Sequence, residues 1–431
     1  MARNLHLSKI AIGLVGFLGL FASHLLWAQA SNAPKFILTN PTNFERTEEL
    51  VVITRVQALE MSRYIPSTQP PIVRNLMGET LPTQSDDLDG DGQWDEIVFL
   101  VSMKANGQQT YQLIYTLPDQ VPIFAKRTHA RLGVAENRDK KYKAAKTEVR
   151  PEWWTPQAQP PRYQLEGPGW ENEKVAFRNY FDSRNAMDIF GKTTKHFVLD
   201  SIGIDQDYHK LQTWGMDILK VGTSLGAGGV GVLIRDSLYR LGDNGKAKFS
   251  LVAAGPIRAC VKLEYTGWAT KGDSQDVTQY IFIGPNDYYY TSRVVFEASR
   301  KMDVPAVGLV TMKLEGAAKQ TKTAMGGGMT TSFGKQSENS DLLGMGLFVP
   351  KAFHKAFGVA PKTGTGIVNS ALNYGLKNAS NCFEYAFFAG WEKSAKEFET
   401  EVGFERYVQK EIGKLEAPIK LSYLSSTNKR K

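Results

Sequence analysis

Alternation of apolar and polar residues over many long segments is the feature that most constrains how this sequence can fold. Successive side chains of a β-strand point to opposite faces, so a period of two predicts half-buried strands. The pattern predicts strands at residues 49–56, 96–103, 109–117, 196–202, 229–234, 249–268, 277–283, 289–298, 306–314, 342–349 and 383–390. Because few helical patterns lie between them, these strands predict a mostly β fold and a large antiparallel β-sandwich.

One amphipathic helix is predicted near the C-terminus. Ser394 and Glu397 have the spacing of a capping box, in which the two side chains satisfy backbone N–H groups at the start of a helix. Apolar residues at helical spacing follow at Phe398, Val402, Val408, Ile412 and Leu415. We expect this helix to pack on the sandwich.

The first thirty residues have the pattern of a secretory signal peptide. Arg3 and Lys9 lie before or beside an apolar run, and Ala28-Gln29-Ala30 forms a cleavage site of small residues. The run is too short for a membrane-spanning helix, so we expect no stable membrane anchor after cleavage. The mature protein is therefore predicted to be periplasmic or secreted. Export permits a disulfide between the two cysteines, and buried thiols are the alternative.

The sequence divides into four predicted segments. They are the signal peptide at 1–30, N-terminal β-strands packed on the main domain at 31–118, a catalytic or binding β-domain at 119–424, and a disordered tail at 425–431. The net charge is +8 at pH 7, and it is spread along the chain without a basic helical stripe. Nucleic acid is therefore not a predicted partner, whereas a positive surface outside the cell favours acidic glycans.

An acidic turn is the candidate metal site. Asp87, Asp89, Asp91 and Asp95 occupy mostly alternate positions, so their carboxylates could converge on a structural calcium ion. Val98 stands where a complete EF-hand loop has a bidentate glutamate, and a strand pattern follows instead of a helix. The alternative is an Asp/Gly-rich turn whose carboxylates accept hydrogen bonds from backbone N–H groups. No other cofactor is predicted to be required.

The segment 167–217 concentrates flat aromatic rings, fixed positive charge and titratable side chains. This mixture suits the binding and deprotonation of an acidic sugar. The segment begins with GPGWENEKVAFRNYFDSRNAMDIFG, and YHKLQTWGMDILKVGTSLGAGGVGV follows it closely. Together with DDLDGDGQWDEIVF and VTQYIFIGPNDYYYTSRVVF, these motifs resemble a family of secreted bacterial proteins known as domain of unknown function 4861.

The resemblance spans most of the mature chain and implies a glycan substrate. Members of that family occur with polysaccharide lyases in loci for ulvan and pectin-like glycans, and some resemble oligosaccharide dehydratases. It implies the supersandwich architecture of mutarotases and several lyases. It also implies a carbon–oxygen lyase that eliminates water from a non-reducing-end uronic acid and leaves a 4,5-unsaturated sugar.

The chemistry of that elimination suggests which residues take part. A base removes the C5 proton, an acid protonates the departing C4 hydroxyl, and cations neutralise the enolate-like dianion. We expect His209 and Tyr208 to form the acid/base pair, with Arg178 on the carboxylate. The predicted substrate-binding residues are Trp170 and Trp214 as stacking platforms, together with Asn185, Lys220 and Glu171.

The acid/base assignment carries a geometric condition. Neighbouring residues on a regular strand point to opposite faces, so Tyr208 and His209 can share a site only where the backbone is irregular. The residues before them, 203–207, permit this. The sequence lacks a G-x-S-x-G and an H-E-x-x-H motif, which disfavours serine and zinc hydrolases. A glycoside hydrolase and a non-catalytic glycan-binding protein remain alternatives.

Overall fold

The computed structural model describes residues 33–135, 141–152, 154–155, 161–204, 206–242, 245–270, 273–297 and 303–423. The predicted signal peptide and the predicted disordered tail lie outside the described residues. Where the chain is described, no helix is long and apolar enough to cross a membrane.

The described residues form strands throughout and two α-helices, α1 (Arg55–Ser62) and α2 (Glu401–Glu416). The first strands are β1 (Lys35–Thr39), β2 (Arg46–Thr54), β3 (Pro71–Asn75), β4 (Thr83–Asp86), β5 (Glu96–Met103), β6 (Gln108–Tyr115), β7 (Thr128–Arg131), β8 (Gly133–Ala135), β9 (Tyr142–Ala144), β10 (Thr147–Val149), β11 (Gly169–Asn172), β12 (Val175–Asn179), β13 (Met187–Lys192) and β14 (Gly215–Asp217). The remaining strands are β15 (Ala227–Ile234), β16 (Ser237–Arg240), β17 (Lys246–Ala254), β18 (Ala259–Thr270), β19 (Asp273–Ile283), β20 (Tyr289–Phe296), β21 (Val304–Val310), β22 (Lys319–Lys322), β23 (Gly328–Gly334), β24 (Leu343–Val349), β25 (His354–Val359), β26 (Ser370–Gly375), β27 (Cys382–Trp391) and β28 (Lys420–Tyr423).

Two compact units divide the chain. The first unit combines Met1–Phe124 with Ile419–Lys431, and the second unit is Ala125–Pro418. The sequence predicts this division at residue 118 and assigns residues up to 424 to the main domain, whereas the structure divides the chain after Phe124 and assigns the residues from Ile419 onward to the first unit. The packing of the N-terminal strands on that domain stays a prediction.

The first unit is a small two-layer β structure. Its sheets have the strand orders β28-β1-β6-β3 and β2-β5-β4. Phe36 of β1 stacks on Tyr111 of β6 with 5.8 Å between ring centroids, and it meets the edge of Phe99 of β5 at 6.0 Å. Contacts between rings of the two sheets place the core of this unit between its layers. The short helix α1 follows β2 and is capped by Thr54, whose hydroxyl accepts a hydrogen bond from the backbone N–H of Gln57.

The second unit is built on a nine-stranded sheet of order β10-β17-β18-β19-β20-β27-β24-β23-β22. The first five-stranded sheet, β14-β13-β12-β11-β7, and the second five-stranded sheet, β16-β15-β21-β26-β25, complete its main layers. Trp170 of β11 meets the edge of Tyr290 of β20 at 5.3 Å, and the Tyr290 hydroxyl donates to the carbonyl of Ala227 in β15 at 2.7 Å. Both five-stranded sheets therefore pack on the same face of the nine-stranded sheet. The prediction of a mostly β fold built as a large antiparallel sandwich is confirmed.

Several predicted strands differ from the structure: residues 55–56 begin α1, and β21 ends at Val310. Residues 249–268 form two strands, β17 and β18, because the chain turns at Gly255 and Pro256. Residues 196–202 are not a strand but part of a turn-rich loop. The apolar side chains of this loop are buried because the loop packs on the outer face of a sheet. Cys260 and Cys382 are buried thiols that form no disulfide with each other.

Helix α2 packs on the outer face of the nine-stranded sheet, as expected, but its predicted start is wrong. Thr400 caps it by accepting a hydrogen bond from the N–H of Gly403 at 3.1 Å, whereas the hydroxyl of Ser394 donates to the carbonyl of Lys192. Glu397 lies in a short 3-10 turn, Lys396–Glu399. Val402, assigned to the apolar face, is 64% exposed.

Glycines of the sheet make the close approach of this helix possible. A Cβ atom on Gly344 would overlap the ring of Phe404 in α2, and one on Gly390 would lie 2.6 Å from the same ring. We expect Gly344→Ala to lower the free energy of unfolding by about 1–3 kcal/mol, because the ring would have to leave its place. Gly334→Ala is the matched control, since its Cβ meets only Leu314 at 4.0 Å. Chemical denaturation of both variants measures this, and equal losses would contradict it.

Candidate functional site

The first five-stranded sheet has two chemically different faces. Trp170 and Phe177 point into the main core, together with Met216. Their sequence neighbours Glu171, Arg178 and Asp217 point to the opposite face, as the alternation of a strand requires. A row of charged groups thus lies on the outside of a sheet whose inside is the core of the second unit.

A loop between β13 and β14 covers that charged face. We call residues 193–214 the roof loop, of which residue 205 lies outside the described part. Val198, Leu199 and Ile202 of this loop pack on Ala176 and Phe190 of the sheet. The roof loop therefore buries the charged face under a small apolar cluster of its own.

Two buried polar side chains hold the roof loop. The carboxylate of Glu171 accepts hydrogen bonds from the backbone N–H groups of Val198 and Leu199 at 2.9 and 3.0 Å, and from the ammonium of Lys192 at 2.8 Å. The amide of Gln164 donates to the carbonyls of Leu199 and Ile202. Glu171 and Lys192 are both fully buried, so each compensates the charge of the other.

Arg178 is the centre of the buried network. Its guanidinium donates to Asp188 at 2.6 Å, to Asp217 at 2.9 Å, to the Tyr180 hydroxyl at 2.7 Å and to the Tyr208 hydroxyl at 3.2 Å. Arg178 and Asp188 are direct partners across β12 and β13, which sets this geometry. Burial acts to lower the pKa of Arg178, but the surrounding tyrosine and carboxylate groups outweigh it and raise that pKa, so the guanidinium stays charged.

Tyr208 and His209 lie side by side at the margin of the roof loop. A turn at Asp207–Lys210, closed by a hydrogen bond from the N–H of Lys210 to the carbonyl of Asp207, makes the backbone irregular there. The two rings are 4.4 Å apart between centroids. His209 is 58% exposed in its side chain, and its Nδ1 lies 3.6 Å from the buried Oδ2 of Asp217. The geometric condition for a shared site is met.

Of the two acidic side chains around Arg178, Asp217 accepts fewer hydrogen bonds than Asp188. Asp188 accepts from two guanidinium nitrogens and the Tyr180 hydroxyl, whereas Asp217 accepts from one guanidinium nitrogen and the N–H of Leu219. Burial and the repulsion of Asp188 hold the pKa of Asp217 well above its ordinary value of 3.8, against the attraction of Arg178. One guanidinium with two carboxylates carries an excess negative charge, and a proton on Asp217 removes it.

This proton predicts a pH dependence of stability. Above pH 3.8 the folded chain keeps a proton on Asp217 that the unfolded chain has lost, so the free energy of unfolding falls as pH rises. The limiting slope for one group is about 1.4 kcal/mol per pH unit. Asp217→Asn should remove this contribution, which urea denaturation at pH 4 to 7 would measure.

Asp200→Asn is the control for that measurement. Burial acts to raise the pKa of Asp200, but the hydrogen bond from Arg131 and the neighbouring His129 hold it below 3.8. Its contribution therefore has the opposite sign: it is present above pH 3.8 and is lost as pH falls through the lowered pKa. If the curves of the Asp217→Asn variant and the unchanged protein run parallel from pH 4 to 7, the assignment of the proton to Asp217 is wrong.

A family model described as "Domain of unknown function (DUF4861)" matches residues 38–421. The chain belongs to this family. A relative from Formosa agariphila, an uncharacterized protein called P7, is 22% identical over 283 residues, which cover 59% of this chain and 66% of the relative. The match therefore spans slightly less than two thirds of that relative's length.

The DUF4861 chain is also similar to two solved structures from Enterococcus faecalis. One is a protein in glycosyl hydrolase family 38, with a TM-score of 0.46 and 8% identity, and the match covers 91% of this chain and 47% of that one. The other is an alpha-mannosidase, with a TM-score of 0.48 and 9% identity, and the match covers 91% of this chain and 46% of that one. The chain thus spans about half the length of either.

The structure buries three residues of the DUF4861 chain that were predicted to bind substrate. Trp170 is 0% exposed and packs against Tyr290, so it offers no face to a sugar. Glu171 is also 0% exposed and anchors the roof loop. Asn185 is 1% exposed, and its side-chain amide accepts a hydrogen bond from the Tyr265 hydroxyl and donates one to the carbonyl of Leu241. The predicted stacking role of Trp170 is wrong because this residue lies on strand β11 and faces the core, while its neighbour Glu171 faces away.

The other predicted residues have different positions. Trp214 is half-buried and meets the edge of Phe190 at the margin of the roof loop, 6.2 Å between centroids. Lys220 is 56% exposed in its side chain, and its ammonium lies 3.6 Å from Glu338. Arg178 is 1% exposed and already forms ion pairs with Asp188 and Asp217, so it cannot bind a substrate carboxylate. It positions Tyr208 and Asp217 instead.

Sequence reasoning missed Asp188, Tyr180 and a second polar cluster. In that cluster Nε2 of His129 lies 3.2 Å from Asp200, which also accepts a hydrogen bond from Arg131 at 2.5 Å. A signal existed for Asp188: it follows Arg178 by ten residues across a turn, so a hairpin in register brings them together. His129 carried no such signal, because Asp200 comes from the roof loop.

The acidic turn of the first unit brings three of its four predicted ligands together. Asp87, Asp89 and Asp95 each place a carboxylate oxygen within 4.8 Å of the others, whereas Asp91 is not in this group. The same carboxylates accept backbone N–H groups, as those of Gly90 and Gly92 donate to Asp87. Three carboxylates fit part of a calcium shell, which takes 6–8 oxygens. Calcium binding stays a prediction, which calcium titration with Asp95→Asn as control measures.

Proposed function

We propose that this DUF4861 protein processes acidic oligosaccharides outside the cytoplasm, by eliminating water from a non-reducing-end uronic acid. The observation that carries the proposal is the pairing of the Tyr208 and His209 rings, 4.4 Å apart, over the buried Arg178 and Asp217. His209 is exposed and Tyr208 is half-buried, and the proposal requires a sugar to reach both side chains. Two proton-transfer groups side by side are what the elimination requires.

The reaction moves one proton off the sugar and one onto its leaving group. The base of the pair takes the C5 proton, and the electrons of the C5–H bond form the C4–C5 double bond. The C4–O bond breaks as the acid of the pair protonates the departing hydroxide, which leaves as water. Hydroxide is a poor leaving group, so the acid matters as much as the base.

The buried network gives the pair its positions. Arg178 donates to the Tyr208 hydroxyl at 3.2 Å, and Asp217 lies 3.6 Å from Nδ1 of His209. A carboxyl group beside one ring nitrogen of a histidine favours proton transfer at the opposite nitrogen. In this proposal Arg178 is a positioning residue. The exposed ammonium of Lys210, on the same turn, would supply positive charge for the substrate carboxylate.

A direct assay tests the proposal. The purified protein is incubated with uronate-ended oligosaccharides while the absorbance of the conjugated double bond and the chain length are followed. Growth of the absorbance without chain shortening supports elimination of water. Chain shortening without absorbance would establish a glycoside hydrolase instead, and binding with neither change would establish a glycan-binding protein. Asp188 and Asp217 are 0% and 1% exposed, which argues against their use as a hydrolase pair.

A further inference from the structure

The outer face of the nine-stranded sheet carries aromatic and charged side chains in two adjacent rows. In the first row, Lys262, Tyr280, Arg293 and Glu384 are direct partners across β18, β19, β20 and β27. In the second row, Phe282, Thr291, Ala386 and Phe348 are direct partners across β19, β20, β27 and β24. The antiparallel register therefore places flat rings and ionic groups side by side on one surface.

A half-open cleft of about 210 Å³ lies over these rows. Phe282 and Phe348 give it apolar walls, while Thr291, Arg293 and Glu384 supply polar groups. Pro350, which follows β24, and Leu415, near the end of α2, close one side of the cleft. The volume is below the ~300 Å³ from which drug-sized pockets begin, so it fits one sugar ring rather than a longer segment.

Positive charge surrounds the rings. The guanidinium carbons of Arg258 and Arg293 lie 5.0 and 5.8 Å from the centroid of Phe282, and the ammonium of Lys262 lies 5.7 Å from that of Tyr280. Glu384 holds Arg293 through its Nε at 2.9 Å, which fixes the orientation of the guanidinium. A guanidinium beside a carboxylate and a hydroxyl is suited to the hydroxyl and carboxylate groups of a sugar.

We propose that this cleft is a second carbohydrate site, which holds one ring of an anionic glycan. The class of glycan rests on the function proposed above, whereas the location rests on the cleft itself. Rings supply an apolar face, and the Arg293–Glu384 pair and Thr291 supply hydrogen bonds. Lys248 and Lys262 share the single carboxylate of Glu264, at 3.0 and 3.3 Å, and this surplus of basic groups favours carboxylate or sulfate substituents. This combination of an apolar wall with a few placed polar groups is the usual composition of a ligand site.

The cleft and the Tyr208–His209 pair lie on opposite sides of the second unit. The first five-stranded sheet and the nine-stranded sheet pack through their inner faces, as Trp170 against Tyr290 shows, and the two sites are on their outer faces. A glycan ring in the cleft would therefore not be the ring that reacts. The site would tether the protein to a polymer while its other side acts on chain ends.

Affinity electrophoresis tests the proposal with polygalacturonate in the gel, and with neutral pullulan as the comparison polymer. We expect polygalacturonate to retard the protein and Phe282→Ala and Arg293→Gln each to weaken that binding about 5- to 10-fold. Lys355→Gln removes an exposed charge on β25 and should change nothing. His209→Ala should also leave the retardation unchanged, which separates the cleft from the reacting site.

Other outcomes overturn the proposal. Unchanged retardation of both cleft variants would show that the polymer does not bind in the cleft. If Lys355→Gln weakened binding as much as the cleft variants do, the retardation would be due to the overall charge of the protein. Equal retardation by pullulan would exclude selection for anionic glycans. The elimination assay on short oligosaccharides is independent: its failure contradicts the proposed reaction, whereas cleft variants with normal elimination rates and weakened polymer binding support the second site.

Discussion

Arg178→Met is expected to lower the free energy of unfolding by about 3–5 kcal/mol, the usual effect of removing one partner of a buried ion pair. Arg178 is 1% exposed, and its guanidinium is bound to Asp188 and Asp217, which are exposed by 0% and 1%. Methionine fills much of the space but leaves two buried carboxyl groups without a cation. Urea denaturation followed by tryptophan fluorescence measures the loss.

Arg184→Met is the matched control for this experiment. Arg184 also pairs with two carboxylates, Asp182 and Glu166, but its side chain is 33% exposed. Water screens such a pair, so we expect a loss of about 1 kcal/mol or less. Adding Asp217→Asn to Arg178→Met should restore part of the lost stability, since it removes one of the two buried acidic groups left without a cation. Equal losses for Arg178→Met and Arg184→Met would show that Arg178 is not the centre of the network.

His209→Ala is expected to lower kcat for elimination about 10²- to 10⁴-fold, the usual contribution of a general acid or base. The imidazole is 58% exposed and meets the network only at its margin, through Asp217 and the Tyr208 ring, so the variant should fold normally. Initial rates of absorbance increase on a uronate-ended oligosaccharide measure the effect. Thermal unfolding of the same preparations shows whether the fold is intact.

Two further variants decide whether the effect is specific. His196→Ala removes another exposed histidine of the roof loop and should leave the rate unchanged. Tyr208→Phe keeps the packing of the ring on Phe190 but removes the hydroxyl that accepts from Arg178, so it should lower kcat by a similar factor. Normal rates for both His209→Ala and Tyr208→Phe would place the chemistry elsewhere in the molecule.

The sequence predicted the sandwich well where one face of a strand meets water. Residues 289–298 were predicted as a strand and contain β20 (Tyr289–Phe296), in which buried residues alternate with partly exposed ones. Strands β11, β12 and β13 are buried on both faces, so their outward residues are paired charges rather than exposed polar groups. Local alternation does not show that the outward residues of such strands are buried, which is why Glu171 and Arg178 were predicted to contact substrate.

The same cause explains which site residues could be predicted. Tyr208 and His209 lie on a turn beside Gly203 at the margin of the roof loop, and their contact with a sugar stays a prediction. Arg178 and Glu171 are also polar, but the roof loop covers them. No local pattern in residues 193–214 predicts that this loop folds back over the sheet. Burial by a distant segment is a tertiary property that local reasoning does not contain.

The first unit combines strands that lie far apart in the sequence, because β28 pairs with β1 from Phe36–Tyr423 to Thr39–Lys420. Strands β1 to β6 leave the ribosome long before β28 does, and until then the edge of β1 has unpaired N–H and C=O groups. Synthesis of β28 therefore sets the moment at which this sheet can close. A chain cut after Pro418 should be prone to edge-to-edge association through β1, which size-exclusion chromatography would detect.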